Sequence, residues 1–173
     1  MSHLEILFTE QQISDTVHSL ARQIRADYED KNPILISVLK GAFVFAADLM
    51  RCLDIPLEIE FVALSSYGCG RKESSGDVKV VNDLRTPIEG RHVLVVEDIV
   101  DVGRTLSFFV DYLRNENPAS LKVCALFDKP SRREVPVEID YLGLTVPNEF
   151  VVGYGLDYDE KFRNLPALYR LEE

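Results

Sequence analysis

The stretch VLVVEDIVDVGRTL, residues 93–106, carries the strongest pattern in the sequence. An apolar run ends in the adjacent acids Glu97 and Asp98, and a further acid, Asp101, follows shortly after them. The residues GRT then open a segment with helical spacing of apolar residues. A buried strand that ends in carboxylates and turns into a helix is typical of α/β proteins, in which ligands bind beyond the carboxyl ends of parallel strands.

The segments on either side alternate in the same way. Helices are predicted over residues 10–30, 42–53 and 105–115, and the first begins with a capping box formed by Thr9 and Gln12. Strands are predicted over residues 34–39, 57–66, 78–82, 92–97, 121–127, 139–146 and 150–154. This alternation predicts an α/β fold with a mostly parallel central sheet flanked by helices.

The composition narrows the class of protein. A chain of 173 residues with 46% hydrophobic residues fits one domain with a substantial core. Its formal net charge of −10 argues against nucleic-acid or acidic-membrane partners, which attract basic surfaces. No apolar stretch approaches the roughly 18 residues of a membrane span. Cys52, Cys69 and Cys124 form no CxxC pair, which predicts free thiols and a cytoplasmic location.

The helix start after Asp101 is suited to binding phosphate. Backbone N–H groups at a helix N-terminus lack partners and carry partial positive charge, so they attract anions. Gly103 allows a close approach of the backbone, and Thr105 can donate a hydroxyl hydrogen bond. Glu97 and Asp98 can accept hydrogen bonds from vicinal sugar hydroxyls or attract Mg²⁺, which would also screen an anionic substrate from this acidic protein.

A simpler interpretation remains open for this segment. Asp101 or Thr105 could merely cap the helix that follows. Two common nucleotide-binding motifs are absent from the sequence, because it contains neither a GxxxxGK[ST] loop nor a GxGxxG fingerprint.

Residues 93–106 resemble the phosphoribosyl-pyrophosphate signature of type I phosphoribosyltransferases. The segments SVLKGAFVFAADL, LFDKPSRR and FVVGYGLDYDEKFRNLP resemble the hypoxanthine-guanine branch in its order, and the likeness covers roughly residues 5–170. Val102 departs from a hydroxyl residue often found in the phosphate loop, and Arg104 stands where lysine or a small polar residue is common. The resemblance implies a type I phosphoribosyltransferase fold over residues 1–173 as a single domain. A small hood would come from the N- and C-terminal segments, and a flexible lid loop would cover about residues 66–77.

The resemblance also implies a role for each site residue. Asp101 would be the general base, facing N7 of a purine while N9 attacks the ribose. The implied contacts to phosphoribosyl pyrophosphate are Lys40, Gly41, Glu97, Asp98, Asp101, Val102, Gly103, Arg104, Thr105 and Arg163. The implied purine contacts are Lys129, Phe150, Val151 and Asp157, and the implied Mg²⁺ site involves Glu97, Asp98 and Asp157. Ser66 and Tyr67 would begin the lid, and the Leu39–Lys40 peptide bond would be cis.

Several of these residues have plainer interpretations when taken alone. Lys129 could be a solvated surface lysine, and Phe150 could be an ordinary core residue. The resemblance implies purine salvage: transfer of the phosphoribosyl group to hypoxanthine, and to guanine, by a homodimer or homotetramer. A xanthine- or guanine-preferring enzyme and a nucleotide-sensing regulator on the same fold remain alternatives. A generic phosphate-binding α/β domain would leave residues 150–163 unexplained.

Overall fold

The computed structural model describes residues 3–66, 78–80 and 84–172. The helices are α1 (Glu10–Tyr28), α2 (Phe43–Leu53) and α3 (Arg104–Arg114). The strands are β1 (His3–Phe8), β2 (Ile34–Leu39), β3 (Glu58–Ser66), β4 (Val78–Val80), β5 (His92–Val100), β6 (Ser120–Asp128), β7 (Tyr141–Thr145), β8 (Val151–Val152) and β9 (Leu168–Glu172).

The central sheet has the strand order β4-β3-β2-β5-β6-β7. The strands from β3 to β7 in this order are mutually parallel, and β4 adds an antiparallel strand at one edge. A second, antiparallel sheet of order β1-β9-β8 joins the two ends of the chain. The predicted α/β fold with a mostly parallel sheet is therefore confirmed.

The central strands are buried on both faces. Leu35 of β2 packs in one hydrophobic cluster with Ile13 of α1 and Phe45 of α2. Its neighbour Ile34 packs in another cluster, with Phe109 of α3. Because successive side chains of a strand point to opposite faces, α1 and α2 cover one face of the sheet and α3 covers the other. This explains why the run ILISVL lacks the polar alternation of a half-exposed strand.

The helix boundaries agree closely with the prediction, whereas several strand boundaries differ. Helix ends agree within two residues, and the capping box of Thr9 and Gln12 is present. The strand predicted over residues 92–97 continues to Val100, because its backbone stays paired with β6 as far as Asp128. Asp98 thus lies within the strand rather than after it. Strands β1 and β9 were not predicted, and the segment 150–154 contributes only two strand residues.

Two further expectations concern local features of the chain. The peptide bond between Leu39 and Lys40 is cis, as the resemblance implies. Within the residues described, no helix is both long and apolar enough to cross a membrane.

Candidate active site

A cleft with a volume of about 320 Å³ opens at the carboxyl ends of β2, β5 and β6. The predicted site residues that line it are Lys40, Gly41, Asp98, Asp101, Lys129, Phe150, Val151, Asp157 and Arg163. Three lining residues were not predicted: Ile99, Arg132 and Leu156. The structure thus brings together segments that lie far apart in the sequence, at the edge where ligands bind to parallel sheets.

The predicted phosphate loop, residues 101–105, lies at the start of α3. Gly103 is the N-cap of the helix, with φ of +90°, and no side chain caps the first turn. A Cβ atom at this position would lie 2.4 Å from the carbonyl oxygen of Val135, so no other residue fits without a shift. The interpretation of Asp101 or Thr105 as the helix cap is therefore wrong, and the first-turn N–H groups remain available to an anion.

Arg133 braces this loop from behind. Its Nε donates to the Asp101 carbonyl over 3.0 Å, and its Nη2 donates to the Val100 carbonyl over 3.2 Å. The same guanidinium pairs with the buried carboxylate of Asp128. The following turn adds two backbone hydrogen bonds to the carbonyl of Val102, of 3.0 and 3.1 Å. Sequence reasoning missed this role, although the basic turn DKPSRR after a strand end was a usable signal.

Glu97 and Asp98 form a like-charged pair beside the loop. Burial, followed by the neighbouring charge of Asp98, raises the pKa of the Glu97 carboxyl well above its usual range. Burial also raises the pKa of the Asp98 carboxyl, whose Oδ1 accepts a hydrogen bond from the Ile99 N–H over 2.7 Å. Gly41 packs directly on this group, since a Cβ there would lie 1.7 Å from Asp98 Oδ2. The pair therefore sits where donors or a cation would be strongly favoured.

Asp101 and Lys129 face the cleft from neighbouring strand ends. Asp101 Oδ1 has no hydrogen-bond partner among the described residues, and Arg132 Nε approaches it to 3.4 Å. Lys129 is buried rather than solvated, and its Nζ donates to the carbonyl oxygen of Glu149 over 2.8 Å. Burial lowers the pKa of Lys129. The surface-lysine interpretation is wrong, and an acidic and a basic residue line the same cleft.

Phe150 supplies an aromatic surface at the mouth of the cleft. Half of its surface is exposed (50%), so it is not an ordinary core residue. The ring meets Tyr158 edge to face at a centroid distance of 5.3 Å. Val151, the next residue, is buried in β8. This arrangement leaves a ring face free for stacking with a planar ligand.

Two basic and two acidic side chains form an ion-pair network beside the cleft. Arg163 Nη2 lies 2.9 Å from Asp157 Oδ1 and 3.3 Å from Glu160 Oε2. Lys40 Nζ lies 2.9 Å from the other oxygen of Glu160, Oε1. The hydrogen bond from Lys40, and then that from Arg163, lowers the pKa of Glu160. Glu160 was not predicted as a site residue.

The carboxylates of the cleft determine whether a metal ion fits there. Among the described residues, no group of three or more His, Cys, Asp or Glu side chains could hold a metal. Mg²⁺, however, is usually held by one or two carboxylates together with substrate oxygens. Glu97 and Asp98 fit that requirement. Asp157 is engaged by Arg163 and by the Glu160 N–H, which donates to Oδ2 over 2.9 Å.

Part of the predicted lid falls outside the structure as described. Ser66 is the last residue of β3, but its side chain is not among those described. Tyr67 and the remainder of the predicted lid, to residue 77, lie outside the described residues.

Comparisons with known proteins place the chain in a family. A family model described as the phosphoribosyl transferase domain matches residues 3–159. The bifunctional protein TilS/HprT of Listeria innocua is 49% identical over 95% of this chain, which spans 25% of that longer protein. A hypoxanthine-guanine phosphoribosyltransferase of Streptococcus thermophilus is 48% identical over 98% of this chain and 93% of its own length.

A solved structure agrees with these relatives. The crystal structure of a hypoxanthine phosphoribosyltransferase from Staphylococcus aureus is 41% identical, with a TM-score of 0.92, and the match covers 97% of this chain and 91% of that one. The resemblance seen in the sequence is confirmed. Because family model, relatives and structure all span nearly the whole chain, it belongs to the phosphoribosyl transferase domain family, among the hypoxanthine-guanine phosphoribosyltransferases.

Proposed function

We propose that this chain salvages purines by transferring the 5-phosphoribosyl group of phosphoribosyl pyrophosphate to N9 of hypoxanthine, and of guanine, with release of pyrophosphate. The observation that carries the proposal is the convergence of Asp101, Lys129 and Phe150 on the cleft beside the phosphate loop. A hydrogen-bond acceptor, a cationic donor and an aromatic ring therefore lie next to the N-terminus of α3, which can bind an anion.

The sugar phosphate binds on the β5–α3 side of the cleft. The 5-phosphate lies against the first turn of α3, where backbone N–H groups from Val102 to Thr105 supply the donors. Glu97 and Asp98 accept hydrogen bonds from the two ribose hydroxyls, because Asp98 lines the cleft beside the phosphate loop and the Glu97 carboxyl lies against it. One or two of the carboxylates Glu97, Asp98 and Asp157 would hold Mg²⁺ together with substrate oxygens, and the ion would neutralise the charge of the pyrophosphate leaving group.

The purine stacks on Phe150 at the other side of the sugar. Asp101 accepts the N7 proton, because its Oδ1 has no other hydrogen-bond partner among the described residues. Lys129 donates to the exocyclic oxygen at position 6. A cation at that point favours a 6-oxopurine over adenine, whose amino group is itself a donor. Backbone groups at Val151 contact the edge of the base.

Pyrophosphate binds to Lys40, Gly41 and Arg163, whose guanidinium fork suits two phosphate oxygens. As the bond between ribose C1 and the pyrophosphate oxygen breaks, positive charge develops on the ribose and N9 adds. The lid beginning at Ser66 and Tyr67 closes over this centre and excludes water. We further propose that the chain works as one domain with the β1-β9-β8 sheet as its hood, as a cytoplasmic homodimer or homotetramer. Free thiols at Cys52 and Cys124 fit a reducing compartment.

Product formation from phosphoribosyl pyrophosphate and Mg²⁺ tests the proposal, with hypoxanthine, guanine, xanthine and adenine compared side by side. We expect nucleotide from the 6-oxopurines but not from adenine. The isosteric change Asp101→Asn should lower kcat by roughly 10²–10⁴-fold, because it removes the base. Asp111→Asn on α3, which breaks only a surface pair with Arg114, is the matched control and should leave kcat unchanged.

The outcomes separate the alternatives. Xanthine used as well as hypoxanthine would assign the xanthine- or guanine-preferring enzyme. No product with any purine would overturn the proposal in favour of the nucleotide-sensing regulator.

A further inference from the structure

Glu160 occupies an unusual backbone position. Asp159 and Glu160 have φ values of +53° and +59°, and they form the centre of a two-residue turn. The turn is closed by reciprocal hydrogen bonds between Tyr158 and Lys161, of 3.1 and 3.0 Å. Turns with two left-handed central residues favour Gly, Asn and Asp, and glutamate is not among them. Residues in such sparsely populated backbone conformations cluster at functional sites, and Glu160 lies next to the candidate site.

The side chain of Glu160 bridges two cations with its two oxygens. Oε1 lies 2.9 Å from Lys40 Nζ, and Oε2 lies 3.3 Å from Arg163 Nη2. Two acidic oxygens held on one carbon, each facing a different cation, resemble two oxygens of one phosphoryl group. The residue is fixed from below, since its N–H donates to Asp157 Oδ2 over 2.9 Å.

Arg163 cannot easily turn away from this position. Its Nη1 donates to the Gly155 carbonyl over 2.9 Å, and its Nη2 also pairs with Asp157. Its side chain is only 20% exposed, whereas those of Glu160 and Lys40 are each 65% exposed. An anion that binds to Arg163 and Lys40 together therefore displaces the exposed carboxylate of Glu160.

We propose that Glu160 is an internal competitor of the pyrophosphate group, holding Lys40 and Arg163 when that group is absent. This inference rests on the assignment of these two cations to pyrophosphate in the proposed function. Glu160 bridges the two cations and offsets their charge when no pyrophosphate is bound. It weakens the binding of pyrophosphate and of phosphoribosyl pyrophosphate, and so favours release of the product.

The expected size of the effect follows from the exposure of the pairs. Exposed ion pairs each change an equilibrium constant by about 1.4- to 5-fold. Two such pairs must be broken by the incoming anion. We therefore expect removal of the carboxylate to lower the dissociation constant for pyrophosphate by about two- to 25-fold. The gain should shrink at high ionic strength, because salt screens exposed charges.

Calorimetric titration of the full chain with pyrophosphate in Mg²⁺ buffer tests the proposal. Glu160→Gln removes the charge at constant shape. Glu160→Asn shortens the side chain so that it cannot reach both cations, and asparagine suits the left-handed backbone. Asp159→Asn is the matched control, because it removes one charge from the same turn but pairs only with Lys161, at 3.5 Å.

Tighter binding by both Glu160 variants, with the control within about twofold of the wild type, would support the proposal. Unchanged or weaker binding by both would overturn it, and weaker binding would make Glu160 a positioning residue for Lys40 and Arg163. If the wild-type chain forms nucleotide and binds pyrophosphate, but the Glu160 variants bind pyrophosphate no more tightly, only this inference is overturned and the proposed function stands. If the wild-type chain does not bind pyrophosphate, the assignment of Lys40 and Arg163 to pyrophosphate binding is overturned as well.

Discussion

The two walls of the cleft are built by different means. The phosphate wall, residues 97–105, presents backbone N–H groups, and it is braced by the buried pair of Arg133 and Asp128. The pyrophosphate wall, residues 40–41 and 157–163, presents charged side chains that pair with one another near solvent. The phosphate wall is therefore part of the fold, whereas the pyrophosphate wall can rearrange at little cost to folding.

Charge explains the difference between the walls. Unpaired backbone N–H groups attract an anion without carrying a net charge, so the backbone of the phosphate wall needs no counterion. Lysine and arginine carry full charges that favour a partner when no ligand is bound. Glu160 is that partner in the pyrophosphate wall, and Glu134 is the partner of Arg104, the one cationic side chain within residues 97–105.

The largest test removes the brace of the phosphate wall. Arg133→Met should lower the free energy of unfolding by about 3–5 kcal/mol, because it leaves the Asp128 carboxylate buried without its partner. Their side chains are only 18% and 13% exposed, so solvent screens the pair weakly. Urea unfolding measures the loss. Arg114→Met, which breaks an exposed pair with Asp111, is the control and should cost about 0–1 kcal/mol. Equal losses in the two variants would erase the distinction between the walls.

A second test alters the shape of the phosphate wall. Gly103→Ala should lower kcat/KM for phosphoribosyl pyrophosphate by about a hundredfold, because the Cβ atom meets the Val135 carbonyl and shifts the loop. Gly90→Ala is the matched control, since Gly90 also has positive φ, +69°, but a Cβ there has no atom within 4 Å. Both variants should lose about 1–2 kcal/mol of stability from the left-handed backbone. Steady-state kinetics separates them, and similar activity in both would contradict the close-contact argument.

The smallest test asks whether partly exposed ion pairs are weak in this protein, as the comparison assumes. Asp27 of α1 accepts hydrogen bonds from Lys122, over 2.8 Å, and from Tyr141. These hydrogen bonds, that of Lys122 first, lower the pKa of Asp27 from its ordinary value of 3.8. Asp27→Asn should reduce the free energy of unfolding at pH 7 by less than about 1 kcal/mol, because the side chains are well exposed.

The pH dependence of that small difference has a definite sign. Since the folded-state pKa is lowered, the contribution of Asp27 is fully present above pH 3.8 and is lost as the pH falls below it. Urea unfolding of wild type and variant between pH 7 and pH 3 should therefore converge at the acid end. A difference that grows with acid would contradict the assignment.

Local sequence was enough to predict most of the phosphate wall. The apolar run, the two acids, the glycine and the helix start are contiguous, and each acts through its own backbone or its nearest neighbours. Only the end of β5 was misjudged. The hydrophobic pattern stops at Glu97, but the strand continues because β6 offers backbone partners that the pattern cannot reveal.

Contacts between residues far apart in the sequence could not be predicted from local sequence patterns. Arg133 reaches the Asp101 carbonyl across 32 residues, and Glu160 reaches Lys40 across 120. Strands β1 and β9, which lie near opposite ends of the sequence, form an antiparallel pair. Each of these features depends on where the sheet brings two segments together.

By itself, the sequence determined the α/β class, the order of most elements, the phosphate loop and, through its resemblance, the family. These depend on local hydrophobic periodicity, helix starts and contiguous motifs. Only the tertiary structure decided which charged side chains form ion pairs at the cleft, including that of Glu160 with Arg163, and how deeply Lys129 is buried. The physical reason is that electrostatics and burial depend on distances through space, which a linear pattern does not contain.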